Sequence, residues 1–437
     1  MIDLRKTDPG VTIAEAAFPA PFAGTLEYAS PARGPWNIVH VGMLIPESRQ
    51  IFACAEGCLR GVVLTAAEMG AMDRFSTVAI EEHDVLDGDF EEMLVDGVSD
   101  ILNGLQEKPR AVLLFTSCIH HFVACDLGYV YGTLRRRFPD VDFTDCYMTP
   151  ILRQTSSPDA LMRRQLYAAL RPMAPDPHRA NFIGGATSPA ASCDLREIFA
   201  SAGWTVGDIT ECKTYDEYLA MAKASLNVTM IPSAKPAGEE LERRLGQRHL
   251  YLPVSYDYNE IDTLLCALTE AIGAPVPDTR AKREAAETAL RQARGTLGGM
   301  PVALDYTATT RPLGLARLLL EHGFTVSDVY ADGFTADERA DFDWLRERVP
   351  SLRVRPTVHP AMRVQPRDHT ETLAVGQKAA YFTGTNHFVN LVEGGADGAG
   401  LWGYDGVARL ASLMADAART EQDTRSIISV KGWGCCC

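Results

Sequence analysis

Short apolar runs alternate with longer amphipathic stretches along most of the chain, the pattern of parallel strands joined by crossover helices. In the first third, the runs at 36–41, 74–80, 110–116 and 141–147 predict strands. Phe90, Leu94, Val98, Ile101 and Leu105 recur at helical spacing and predict a helix over 89–105. Further helices are predicted at 127–138 and 158–170. The proline-rich 172–177 reads as a linker, because proline fixes φ and brings no backbone donor. Strands at 180–183, 205–209, 226–231 and 250–254 then alternate with helices at 193–202, 215–222, 238–245 and 259–272. A charged helix at 280–294 and a break at 295–301 lead into a third series. Its predicted strands are 301–306, 325–330, 352–357 and 380–383, with helices at 311–322, 336–348 and 406–418. The expected fold is α/β, with three doubly wound parallel-sheet domains at 1–175, 176–278 and 279–437.

Composition supports this and removes several functions. A length of 437 residues, at about 150 residues per domain, agrees with three domains. With 46% hydrophobic and 23% charged residues the chain can build a large core, which excludes a disordered protein. The net charge of −15 argues against a nucleic-acid partner, since phosphate binding needs a basic face. The opening Met1-Ile2-Asp3-Leu4-Arg5-Lys6 lacks the apolar stretch of a secretory signal. No run approaches the roughly 20 apolar residues that span a bilayer, so no membrane partner is expected. Eleven cysteines, an odd count spread over a long chain, fit free thiols or metal ligation in a reducing compartment better than a disulfide framework. A cytoplasmic location follows as the expectation.

The chain has no Gly-Lys dipeptide and hence no Walker A loop; H-E-x-x-H and G-x-S-x-G are absent too. A G-x-G-x-x-G at Gly398, Gly400 and Gly403 leaves too little chain for a βαβ unit and reads as coincidence or as a loop before a helix. The cysteines say more. Cys54 and Cys58 stand four apart, about one helical turn, so both thiols can point to one side. Cys118 closes the predicted strand that ends in Thr116-Ser117, where parallel sheets place ligand groups. Soft, anionic thiolates are the usual protein ligands of iron–sulfur clusters, although buried cysteine is also a common packing residue. Cys125, Cys146, Cys193, Cys212 and Cys266 sit in or beside apolar elements and read as packing. Cys435-Cys436-Cys437 reads as a tail, with a folded-back cluster contact as the alternative. His120 and His121 beside Cys118, and His40, read as structural or surface residues; Asn386, His387 and Glu393 are candidates for lining a pocket between domains.

These residues resemble nitrogenase component 1 and its relatives. Glu56-Gly57-Cys58-Leu59-Arg60-Gly61 is similar to the family's Q-G-C segment, and Thr116-Ser117-Cys118 to its T-T-C, both of which carry cluster ligands. Between them Glu82-His83-Asp84-Val85-Leu86-Asp87-Gly88 resembles E-D-x-V-F-G-G. Ser225-Leu226-Asn227-Val228, Pro253-Val254-Ser255-Tyr256-Asp257 and Trp402-Gly403-Tyr404-Asp405-Gly406 follow in the family's order. The resemblance implies three Rossmann-like domains and an iron–sulfur cluster, [4Fe-4S] or the larger [8Fe-7S], on Cys58 and Cys118. A further family cysteine is missing from 30–34, and Cys54 stands in as third ligand. Met230 and Ile231 occupy the neighbourhood where cofactor-bearing α-type subunits carry a cysteine. The chain therefore looks like the β-type subunit, with the catalytic iron–sulfur cofactor in the partner. Implied with it are an α-type sister subunit, an α2β2 heterotetramer, and electron transfer from an ATP-hydrolysing iron-protein reductase. Departures from standard nitrogenase favour a nitrogenase-like oxidoreductase such as a methylthio-alkane reductase, which cleaves C–S bonds. A cluster or cofactor assembly scaffold and a metal-free α/β ligand-binding protein are the alternatives.

Overall fold

The structure, a computed structural model, describes residues 8–22, 38–148, 158–365, 371–391, 400–424 and 426. After β1 (Val11–Thr12) and α1 (Ile38–Gly42), the first unit runs β2 (Ser48–Cys54), α2 (Glu56–Glu68), β3 (Phe75–Ala79), α3 (Glu82–Asp87) and α4 (Phe90–Gly104). It continues with β4 (Ala111–Thr116), α5 (Cys118–Phe122), α6 (Leu127–Arg137), β5 (Asp142–Tyr147) and α7 (Pro158–Gln165). Its four strands are parallel in the order β3-β2-β4-β5. Every residue of β4 is buried, so its Ala-Val-Leu-Leu-Phe-Thr run is continuous, as a strand covered on both faces requires. On one face Leu94, Val95, Val98 and Leu102 of α4 pack with Val130 and Leu134 of α6. At about 1.5–3 kcal/mol per fully buried large apolar side chain, this contact alone is a major part of the unit's stability. The other face carries Phe52, Phe75 and Phe115, covered by Leu59, Val62 and Ala66 of α2.

The second unit repeats the order. It comprises β6 (Asp176–Phe182), α8 (Asp194–Ser201), β7 (Thr205–Asp208), α9 (Tyr215–Leu219), β8 (Ala224–Thr229), α10 (Lys235–Leu245), β9 (Arg248–Tyr251) and α11 (Tyr258–Ile272). Its parallel sheet is β7-β6-β8-β9. The third holds α12 (Arg280–Leu297), β10 (Val302–Asp305), α13 (Pro312–Glu321), β11 (Val326–Tyr330), α14 (Arg339–Arg348), β12 (Arg353–Arg355), β13 (Leu373–Val375), α15 (Gln377–Thr383), β14 (Phe388–Val389) and α16 (Gly403–Arg419). Its sheet, β1-β12-β11-β10-β13-β14, is parallel except for β1, which pairs antiparallel to β12. The N-terminal residues thus close the edge of the last sheet, a return that no local pattern announces. One core joins the second and third units, and another joins the first and second through Ile183, Ile209, Tyr215 and Leu241.

Several expectations are corrected. Residues 38–41, predicted as strand, lie in α1, so His40 is helical and does not end a strand. The strand that belongs there is β2, and the run 380–383 lies in α15. Short, largely apolar runs look alike in either conformation, so periodicity alone does not separate strand from helix at these two places. α12 continues through Gly295 to Leu297 instead of breaking at 295, and β6 already begins at Asp176 inside the expected linker. Of the G-x-G-x-x-G motif, Gly398 lies outside the described residues, while Gly403 opens α16 with φ +68° where a Cβ would strike the Asp194 carboxylate.

Candidate metal centre

In the first unit the chain leaves β2 towards β3 on one side and returns to β4 on the other. The gap between the carboxyl ends of β2 and β4 is therefore the topological switch point, where an open parallel sheet has a crevice. Cys54 is the last residue of β2, and Cys118 the first of α5, two residues beyond β4. Cys58 lies in the first turn of α2. Cys54 and Cys58 therefore do not share a helix face as their spacing predicts; the strand-to-helix turn at Ala55 separates them. Cys54 nevertheless lies within electrostatic reach of both Cys58 and Cys118. Burial pushes the Cys54 thiol up to about 12, and the thiolates of Cys58 and Cys118 add to that rise.

Their surroundings differ. Cys54 is fully buried, Cys118 half-buried and Cys58 exposed. Behind Cys54 the Phe52 and Phe115 rings stack at 4.2 Å between centroids, and Phe75 stacks on Phe52 at 5.1 Å. That wall keeps water from the inner side. Among the described residues no three His, Cys, Asp or Glu side chains converge on a point that would hold a single metal ion. Thiolates are the usual protein ligands of multi-iron groups, and thiols bound to metal are deprotonated.

His120, two residues past Cys118, takes part in the cap of α5. Its Nδ1 accepts the Ser117 backbone N–H at 3.1 Å, and burial lowers its pKa to about 4. Its ring meets Phe90 edge-on at 5.1 Å. His120, His121 and Cys125 border a cavity at the carboxyl end of β4 that none of Cys54, Cys58 and Cys118 lines, and burial followed by the charge of Glu91 raises Cys125 to about 12.

At the other two switch points the described residues bond to one another. Between β6 and β8, Gly184 is clamped from α7, Arg163 donating to its carbonyl while its N–H donates to the Tyr167 hydroxyl at 2.8 Å. Between β10 and β13, the buried Asp305 carboxylate accepts the N–H groups of Thr307 and Ala379, each at 2.6 Å, and the Thr307 hydroxyl. A Cβ at Gly376 would run into that carboxylate.

Cys146 and Cys193 are buried, Cys212 and Cys125 half-buried, and Cys266 is exposed on α11, contrary to its expected packing role. His387 Nδ1 bonds the Ala417 carbonyl near the end of α16 at 2.9 Å, and the Asn386 backbone carbonyl accepts the Gln422 N–H. Glu393 and Cys435 to Cys437 lie outside the described residues.

Three Rossmann-like α/β units, one with its switch crevice lined by thiols, define an oxidoreductase of the nitrogenase component 1 class. Residues 41–419 match the family described as nitrogenase component 1 type oxidoreductase, and the chain belongs to that family. Two solved structures show the same fold. One, described as nitrogenase Cp1 at pH 6.5, superposes with a TM-score of 0.66 at 15% identity, over 91% of this chain and 94% of that one. The other, nitrogenase Cp1 at pH 5, gives 0.62 at 13% identity over 96% and 95%. Among curated proteins none matches. Iron–sulfur clusters, a partner subunit and an iron protein are general features of the family. Among the described residues no helix is long and apolar enough to cross a membrane.

Proposed function

We propose that this chain is the β-type subunit of a nitrogenase-like reductase, holding an iron–sulfur group on Cys58, Cys118 and Cys54. The observation that carries the reading is that Cys54, at the β2/β4 switch crevice, lies within electrostatic reach of both Cys58 and Cys118. When bound, such a group supplies reversible one-electron storage at low potential. Cys58, exposed on α2, faces the side from which an ATP-hydrolysing iron protein would deliver electrons. Cys54, against the phenylalanine wall, anchors the inner side and excludes water. Leu86 on α3 and Phe122 on α5 are 76% and 71% exposed. Apolar side chains so exposed support burial against an α-type sister subunit in an α2β2 assembly. Met230 and Ile231 are buried apolar residues after β8 and offer no thiolate, which supports placing the catalytic cofactor in the sister chain. Reductive cleavage of a C–S bond in methylthio-alkanes is the reaction proposed for the complex.

Anaerobic purification with iron and sulfide assays, and electron paramagnetic resonance after dithionite, tests the reading. Stoichiometric iron is expected in the wild type, with loss of more than about 80% in Cys58→Ala and in Cys118→Ala, since each removes one of few ligands. Colourless, iron-free wild-type protein overturns it. Iron without steady substrate reduction by the reconstituted complex points instead to an assembly scaffold.

A further inference from the structure

One edge of the third sheet is charged. β12 carries Arg353 and Arg355 on either side of Val354, and two like charges along an open edge repel a second copy of that edge. What lies on it instead is β1, from the other end of the chain. Val11 pairs with Val354 and Thr12 with Arg353, antiparallel in a sheet that is otherwise parallel. The Ile13 N–H donates to the Leu352 carbonyl at 2.7 Å, and the Phe334 N–H donates to the Pro19 carbonyl at 2.9 Å. Asp8 binds both arginines, Arg355 Nη1 at 3.1 Å. Ile13 is fully buried, and the Phe18 ring lies 5.4 Å from that of Phe342 with the Arg339 guanidinium 5.3 Å over it. Among the described residues, the hydrogen bonds, ion pairs and ring contacts that 8–22 makes outside itself all go to the third unit. The next described element, α1, packs in the core shared by the first and second units. The arm therefore meets the third unit as an added-strand peptide ligand does, with ladder bonds for affinity and side-chain pockets for specificity.

We propose that the β12 edge is a strand-docking groove whose ligand is residues 8–22, bound as a detachable segment and replaceable by the same segment of a second copy. The groove selects this segment at three positions. Its arginines take a carboxylate at Asp8, the core beneath β1 takes Ile13, and the Phe334–Phe342 face takes the ring of Phe18. None of these contacts involves the thiols of the first unit, so the groove stands whether or not that unit holds iron.

The test uses full-length protein with a protease site inserted between Phe22 and Ile38 and cut after folding. A fluorescently labelled peptide of residues 8–22 stands for the arm of a second copy, its binding read by anisotropy. The cut chain is expected to shed its arm on gel filtration, keep its circular dichroism and take up the peptide saturably. Ile13→Asp in the peptide is expected to weaken uptake at least about thirtyfold, since a buried aliphatic group is lost and a charge takes its place. Asp8→Asn in the peptide is expected to weaken it about three- to tenfold at low salt and to flatten its salt dependence. Both changes lie in the peptide, so neither result depends on how a protein variant folds. Uncut wild-type chain, its groove already filled by the tethered arm, is expected to bind the peptide at least about tenfold more weakly than cut chain. An arm that stays on the cut chain without exchanging, a fold that collapses when the arm leaves, or equal uptake of a scrambled peptide each overturns the proposal.

Discussion

Cys54 and Cys58 are four residues apart in sequence and opposite in accessibility, one sealed against aromatic rings and the other open to solvent. Alkylation therefore reports on them separately. In folded, metal-free chain, iodoacetamide is expected to modify Cys58 while leaving Cys54 unmodified until urea is added, read by peptide mass spectrometry. After reconstitution with iron and sulfide, Cys58 is expected to become protected, at least about tenfold slower to react, because a ligating thiolate no longer attacks. Unchanged Cys58 reactivity in reconstituted protein would count directly against its role as a ligand.

At the scale of elements, the helices are built by ordinary means. Asp257 caps α11, its carboxylate accepting the N–H groups of Asn259 at 2.8 Å and Glu260 at 3.1 Å. Asp257→Ala is expected to lower unfolding free energy by about 1 kcal/mol, measured by urea denaturation, since two donors of the first turn lose their acceptor. The start of α16 is tied to the second unit, with Trp402 Nε1–H shared between the carbonyls of Leu252 at 3.1 Å and Pro253 at 3.0 Å. Trp402→Phe keeps most of the buried ring but leaves those carbonyls short of a donor, with an expected cost of about 1–3 kcal/mol in the same assay. The Trp-Gly motif is thus a joint between units as well as a family signature.

Across the whole molecule the same winding yields three switch points, one beside an arginine–tyrosine clamp on Gly184 and one beside the buried Asp305 carboxylate. The third and second units also share an ionic junction, in which Arg311 of the third bonds Glu260 at 2.7 Å and Asp341 at 3.0 Å. Nearby Glu338 is buried, and burial raises its carboxyl to about 7 against the N–H groups of Leu313 and Thr335, which hold it down. Between the unfolded value near 4.5 and about 7, the native state holds a proton that the unfolded chain has released. Glu338 therefore contributes its stability in full below about 4.5 and loses it as pH rises through 7, on the order of 3 kcal/mol. Glu338→Gln, which cannot ionise, is expected to flatten the pH dependence of urea midpoints over that window.

Long helices with one buried face, such as α4, α6, α11 and α16, were legible because a single packing surface writes a 3.6-residue period into the chain. The alternation of these with apolar runs was enough to define three parallel-sheet units, and the order of short motifs was enough to place the chain in its family. Cys58 and Cys118 were legible as candidates for the same reason. What the sequence could not hold is the assembly of the site. Cys118 meets Cys54 only because the crossover through β3 puts β4 beside β2, and β2 itself was hidden in an apolar run with no period of its own. The pairing of β1 with β12, more than 300 residues apart, and the burial of the Asp305 carboxylate were likewise invisible. Local periodicity records which face of an element is buried; which distant element buries it is decided only when the whole chain closes.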